Sequence, residues 1–151
     1  MTNGAGAATN TTVSAALYTT VQQFYARQMG LLDDGRPEDW SDTFTEDAVF
    51  EEASRLSEPL RGRAAIRESS QARKRRLAEQ RLDFRHWLSM LRVTPRPDGS
   101  LRVGGYALAM RVPAGGALDI FASVVLRDHL VRDGDRWRVR HRRLTHDGAE
   151  R

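Results

Sequence analysis

The segment DFRHWLSMLRV, residues 83–93, sets a histidine beside a tryptophan in an otherwise apolar run. At a period of two, Phe84, His86, Leu88 and Met90 share one face, and Arg85, Trp87, Ser89 and Leu91 share the other. Both faces are partly apolar, as expected of a sheet strand with one face turned toward packed helices. On that reading His86 points among apolar neighbours, where burial disfavours the charged imidazolium unless a carboxylate compensates.

The three segments that follow have the same character. LRVGGYALAMRV (101–112), ALDIFASVVLRDHLV (117–131) and RWRVRHRRLT (136–145) are rich in β-branched or aromatic residues. They are separated by the turn signals TPRPDGS, PAGG and RDGD, of which Asp98-Gly99 and Asp133-Gly134-Asp135 read as tight hairpin connections. The Gly104-Gly105 pair inside a strand marks a bulge that bends the sheet.

Upstream the period changes to that of a helix. Leu17, Val21, Phe24, Tyr25, Gln28, Leu31 and Leu32 form an amphipathic stripe that breaks at DDGRP. A short second helix is expected through EDWSDTF, then a short apolar segment AVFEE, then a third helix over GRAAIRESSQARKRRLAEQ, residues 62–80. Helices first and a meander of strands after predict an α+β domain, its three N-terminal helices packed on a curved antiparallel sheet. The domain spans 13–147, preceded by a disordered tail over 1–12, where Gly, Ala, Thr and Asn show no apolar period. Such a sheet under helices encloses a concave, mainly apolar space of the kind ligands occupy.

Composition narrows the chemistry. The 151 residues suit one domain. Cysteine is absent, which removes disulfides and thiolate chemistry and agrees with a reducing compartment. The start lacks a signal-peptide pattern and no apolar run reaches bilayer-spanning length, so a soluble, cytoplasmic protein with no membrane partner is expected. The net charge of +4 is carried by arginine, since Lys74 is the only lysine. ARKRRLAEQR reads as a solvated helix face and WRVRHRR as a strand with arginines on one side, so no nucleic-acid partner is expected. His86, His129, His141 and His146 show no metal-ligand spacing, and no metal or other cofactor is expected.

Three pieces, LLDDGRPEDWSDTFTEDAVF, RHWLSMLRV and LRDHLVRDGDRWRVRHRRLTHD, resemble in order the SnoaL-like branch of the NTF2-like superfamily. That branch includes scytalone dehydratase and the small β subunits of aromatic-ring-hydroxylating dioxygenases. LLD-x-G-x-x-x-x-W and R-H-x-x-S look especially like the β subunits. The resemblance implies a cone-shaped, helix-covered barrel. It also implies, as in the dehydratase-like members, an aspartate after the first helix paired with a strand histidine for acid/base work on a cyclic substrate. Asp33 falls on the first position and His86 on the second, with Asp34 an adjacent alternative.

The dehydratase pattern has a second histidine on a following strand, where this chain offers Asp119 and Ser123; His141, sharing parity with Trp137 and Val139, either substitutes or is packed without a role. Tyr25 and Tyr106 are candidate pocket hydroxyls or packing residues, and Glu51-Glu52 is either a solvated pair or the source of one cavity carboxylate. Trp87 is expected at a sheet-to-sheet homodimer interface.

Three functions are then open. One is a cofactor-independent dehydratase, cyclase, isomerase or epoxide hydrolase acting on a hydrophobic cyclic or polyketide-like molecule of secondary metabolism. The alternative is a non-catalytic assembly subunit with its cavity filled by Met90, Met110 and Phe121, or a ligand-binding module without turnover.

Overall fold

The computed structural model describes residues 12–149, so all but the last residue of the expected tail lies outside the described residues. Helix α1 (Ala15–Asp33) is capped by Ser14, whose Oγ accepts the Leu17 N–H at 3.1 Å, a contact worth about 1 kcal/mol. Its apolar stripe buries Val21, Tyr25, Met29 and Leu31. A short α2 (Pro37–Ser41) begins on proline, whose missing N–H costs nothing in a first turn.

The second helix is shorter than EDWSDTF suggested, because the chain enters the sheet sooner. The Val139 N–H donates to the Thr43 carbonyl at 2.9 Å, and β1 then runs without a break over Phe44–Glu52. After the two-residue β2 (Leu60–Arg61), Gly62 turns the chain at φ 88°, a conformation that favours glycine, and α3 (Arg63–Gln80) follows. Strands β3 (Leu82–Pro95), β4 (Leu101–Pro113), β5 (Asp119–Asp133) and β6 (Arg136–His146) form the expected antiparallel meander.

The fold is α+β, with helices covering a curved, unclosed six-stranded sheet of order β2-β1-β6-β5-β4-β3. One feature departs from the expected all-antiparallel sheet: β1 pairs in parallel with β6. The outer side of β3 is covered by α1, whose Tyr18 hydroxyl donates to the Leu91 carbonyl at 3.2 Å.

Curvature comes from bulges, and each re-aims the side chains beyond it. On β3, Ser89 pairs with Tyr106 and Arg92 with Gly104, so Met90 and Leu91 together face Gly105. Met90 takes φ 56° and is turned out to solvent, while Leu91 joins the core side. This corrects the strict alternation that put Met90 beside His86. Gly105 is the partner of that bulge rather than its site: a Cβ there would come within 3.2 Å of the Ser89 carbonyl and 3.1 Å of Leu91. A second bulge inserts Phe121 opposite the Ala109-Met110 step, and a third inserts Arg140 opposite His129-Leu130.

One end of the space between helices and sheet is filled by Tyr25, Phe44, Leu101, Leu130 and Val139. Behind this packing lies a buried polar chain. Arg142 holds Asp128 through two bonds, Nε to Oδ1 at 2.9 Å and Nη2 to Oδ2 at 2.7 Å. Asp128 also accepts from the Tyr25 hydroxyl at 2.8 Å, Arg142 reaches Gln28 at 2.6 Å, and Gln28 donates to Thr43 at 2.7 Å. No helix of the described residues is long and apolar enough to cross a membrane.

Candidate active site

At the other end the space stays open as a cavity of about 450 Å³. Its sheet floor is made small by Ala107, Ala109 and Ala122, and its apolar walls include Phe84, Leu88, Phe121 and Leu144. Polar groups converge on it from four elements and one loop: His86 from β3, Glu52 from β1, His146 and Arg142 from β6, Arg73 and Arg76 from α3, and Arg55 from the loop after β1. An apolar cavity with a few placed polar groups is the usual form of a small-molecule site.

Asp33, the last residue of α1, makes two bonds to one residue of β3. Its Oδ2 accepts the backbone N–H of His86 at 2.9 Å and its Oδ1 meets His86 Nδ1 at 2.6 Å. The carboxylate thus satisfies the edge strand's backbone and the ring together, with the Asp33 side chain 8% and the His86 side chain 18% exposed. An ionised carboxylate only accepts, so a neutral ring beside it carries its proton on Nδ1 and leaves the Nε2 lone pair free. Asp34, left open as a partner by the sequence, is solvent-exposed. Phe84 packs at 5.6 Å from the imidazole and edge-on to Phe121 at 5.1 Å.

The other expected site residues lie elsewhere. Tyr25 is fully occupied by Asp128, and burial followed by that carboxylate raises its hydroxyl well above the ordinary tyrosine range. Tyr106 is on the far face of the sheet, 49% exposed. His141 is there too, because the bulge at Arg140 reverses the parity counted from Trp137; it bonds Glu51, whose carboxyl is lowered by hydrogen bonds from Arg143 and His141. Asp119 pairs with Arg111 and Ser123 with Asp147, both exposed and outside the cavity. Tyr25→Phe should therefore lower stability by about 1 kcal/mol in urea denaturation, leaving any activity within about twofold of wild type.

Two pairings escaped the sequence reading, which had offered one carboxylate of Glu51-Glu52 to the cavity without a partner for it. Glu52 is buried in the cavity wall and bonds His146 Nε2 at 2.8 Å, so the cavity holds a second carboxylate–histidine pair. The second pair is Asp128 with Arg142. A signal for Asp128 was present: it shares a face with Val124, Leu126 and Leu130, and an acid in an apolar stripe demands a buried partner. No group of three potential metal-ligating side chains occurs among the described residues.

No curated protein matches the chain. Among solved structures, Aln2 from a Streptomyces species is similar at 32% identity and TM-score 0.81, over 89% of this chain and 94% of its own. ActVI-ORFA from Streptomyces coelicolor is similar at 29% identity and TM-score 0.83, over 91% of this chain and 100% of its own. A Catenulispora acidiphila protein solved in complex with S-DNPA is 36% identical with TM-score 0.77, over 89% of this chain and 96% of its own. The model of the SnoaL-like domain matches residues 13–143, and with the cavity, the fold and these likenesses it shows that the chain belongs to the SnoaL-like domain family.

Proposed function

We propose that the protein is a cofactor-independent acid/base enzyme acting on a hydrophobic cyclic, polyketide-like small molecule of secondary metabolism. The observation that carries this reading is the Asp33-oriented His86 ring with an unbonded Nε2 on the wall of an open apolar cavity. His86 Nε2 takes a proton from carbon next to a carbonyl, the C–H electron pair moves into an enolate, and Asp33 stabilises the imidazolium so formed. The proton then goes to a departing hydroxyl, which leaves as water and gives dehydration, or to a different carbon of the enolate system, which gives isomerisation; where the enolate carbon instead attacks a second carbonyl of the same molecule, the proton goes to the alkoxide so formed and the product is cyclised. His146, held by Glu52, is the second proton carrier at the cavity wall.

The Catenulispora acidiphila relative solved in complex with S-DNPA supports a small-molecule ligand for this cavity. A non-catalytic assembly subunit is the weaker reading. It required Met90, Met110 and Phe121 to fill the cavity, yet Met90 is 69% exposed, Met110 does not line the cavity, and Phe121 stands at its wall with the space still open. The test uses β-tetralone, a bicyclic ketone with acidic α-protons, in deuterated buffer. Wild-type protein should accelerate loss of the α-proton NMR signals well above the buffer rate, and no acceleration would count against the enzyme reading.

The expected homodimer belongs to the same proposal. Trp87 is 64% exposed on the far face of the sheet, next to Leu108 and near Tyr106, an apolar strip suited to a second copy of the chain. Trp87→Glu should convert a dimer into a monomer in light scattering after size exclusion, with the helical circular dichroism unchanged.

A further inference from the structure

We infer that the far face of the sheet carries a second binding site, centred on Gly104, for the diphosphate group of a free small molecule. It shares no lining residue with the cavity beside His86 and is independent of what that cavity does.

The register of the sheet builds the site. Arg92, Gly104, Arg127 and Arg143 stand opposite one another on successive strands from β3 to β6, and Thr94, Arg102, His129 and His141 form the neighbouring rung. Arg92, Thr94, Arg102, Arg127, His141 and Arg143 surround a depression of about 540 Å³, with Gly104 at its floor. Glu51, at the β1 end of the first rung, is the carboxylate bonded to this group among the described residues, and it is taken by Arg143 and His141. Arg92, Arg102 and Arg127 make no ion pair there. Like charges set directly across a sheet destabilise it, and Arg127 faces Arg143 in that way. The same charge reaches His129, whose imidazole is held below its ordinary range by burial first and then by Arg102 and Arg96.

Gly104 is the unusual residue. Its backbone lies outside the left-handed region, and the three nearest atoms that an added Cβ would meet all belong to the movable Arg92 guanidinium, the closest being Nη2 at 3.4 Å. At Gly105, by contrast, the Ser89 carbonyl stands in the way at 3.2 Å. Glycine at 104 thus answers no demand of the backbone and weakens the middle of a strand. What the missing side chain supplies is open space among guanidiniums. Arg92 lies over the Tyr106 ring at 5.6 Å, which keeps its planar fork beside that space.

A diphosphate entering the depression offsets the three unpaired guanidiniums, and its oxygens match the fork geometry of arginine. The patch spans only four strands, roughly 14 Å from β3 to β6. Glu51 bounds it on one side and the apolar strip of Tyr106, Leu108 and Trp87 on another, so it forms a spot for a small anion rather than a track for a polymer. A second copy of the chain paired through this face brings the same cations to it, so charge excludes that occupant.

The probe is pyrophosphate, titrated calorimetrically into the full chain at physiological ionic strength set with sodium chloride. Wild-type protein should bind one pyrophosphate per chain with Kd on the order of 0.1 mM. Arg102→Gln with Arg127→Gln should weaken binding by more than about tenfold, and His86→Ala should bind as wild type does. Gly104→Glu fills the depression with a carboxylate of the chain's own. It should bind pyrophosphate no more tightly than the double variant, while its thermal midpoint without the anion equals or exceeds that of wild type, which separates a lost site from a lost fold. No binding by wild type, undiminished binding in either variant, or a Gly104→Glu protein that melts below wild type overturns the proposal. So does a single-stranded oligonucleotide that binds more tightly than pyrophosphate through the same arginines, which would make the patch a nucleic-acid surface. Pyrophosphate binding without β-tetralone exchange would sink the catalytic reading and leave this site intact, while exchange without pyrophosphate binding does the reverse.

Discussion

His86→Ala should lower the rate of β-tetralone proton exchange by about a thousandfold relative to wild type, within the range contributed by a positioned acid/base. The expectation follows from the geometry, in which Asp33 is the ring's hydrogen-bond partner among the described residues, and Nε2 is the free nitrogen facing the cavity. Asp33→Asn should cost about a hundredfold, because the amide would no longer fix the Nδ1–H tautomer or stabilise the imidazolium. The two variants should differ in what they do to the fold. His86→Ala leaves Asp33 accepting from the backbone N–H alone, while Asp33→Asn keeps an oxygen for that N–H. Each should lower stability by about 1–3 kcal/mol in urea denaturation, so loss of exchange in still-folded protein is attributable to the ring. If exchange persists in folded His86→Ala, proton transfer belongs to another group, with His146 the first to replace.

The largest loss of stability comes from the buried Asp128–Arg142 pair, whose arginine also borders the cavity. Asp128→Ala should cost about 3–5 kcal/mol, because it leaves the Arg142 guanidinium buried at 3% side-chain exposure with only Gln28 to meet it. That is a large share of the roughly 5–15 kcal/mol that holds a domain of this size together. Arg142→Met should cost a similar amount, since it strands the Asp128 carboxylate with the Tyr25 hydroxyl. The double variant Asp128→Leu with Arg142→Met should be far less damaging than the sum, because both charges go together. Strict additivity of the two losses would show that the pair does not act as a unit.

The fold was readable where the sequence keeps a single period. The helical stripe from Leu17 to Leu32 and the four long strands after Gln80 are regular over enough residues that turn signals only had to separate them. The strand β1 was less visible, because Thr45-Glu46-Asp47 interrupts its apolar pattern; the register with β6 jumps there, and three polar residues are accommodated in the irregularity. Asp33 and His86 were legible through the family resemblance, and their distance in sequence is bridged by α1 lying against the β3 edge.

What the sequence hid was every assignment beyond a bulge. Counting by two from Trp137 points His141 inward, and a single extra residue at Arg140 delivers Arg142, Leu144 and His146 instead. The same one-residue slip expels Met90 and admits Phe121. A period-two pattern carries no local mark of such an insertion, since the extra residue is defined by the partner strand's register rather than by its own type.

The measurement closest to the central claim is the protonation pattern of the His86 ring, read by long-range proton–nitrogen correlation NMR at mildly alkaline pH and assigned by the missing signal in His86→Ala. The account predicts a neutral ring protonated on Nδ1, held there by Asp33, whose Nε2 resonance shifts when β-tetralone enters the cavity. A ring protonated on Nε2, or an Nε2 signal indifferent to the ketone, would contradict it.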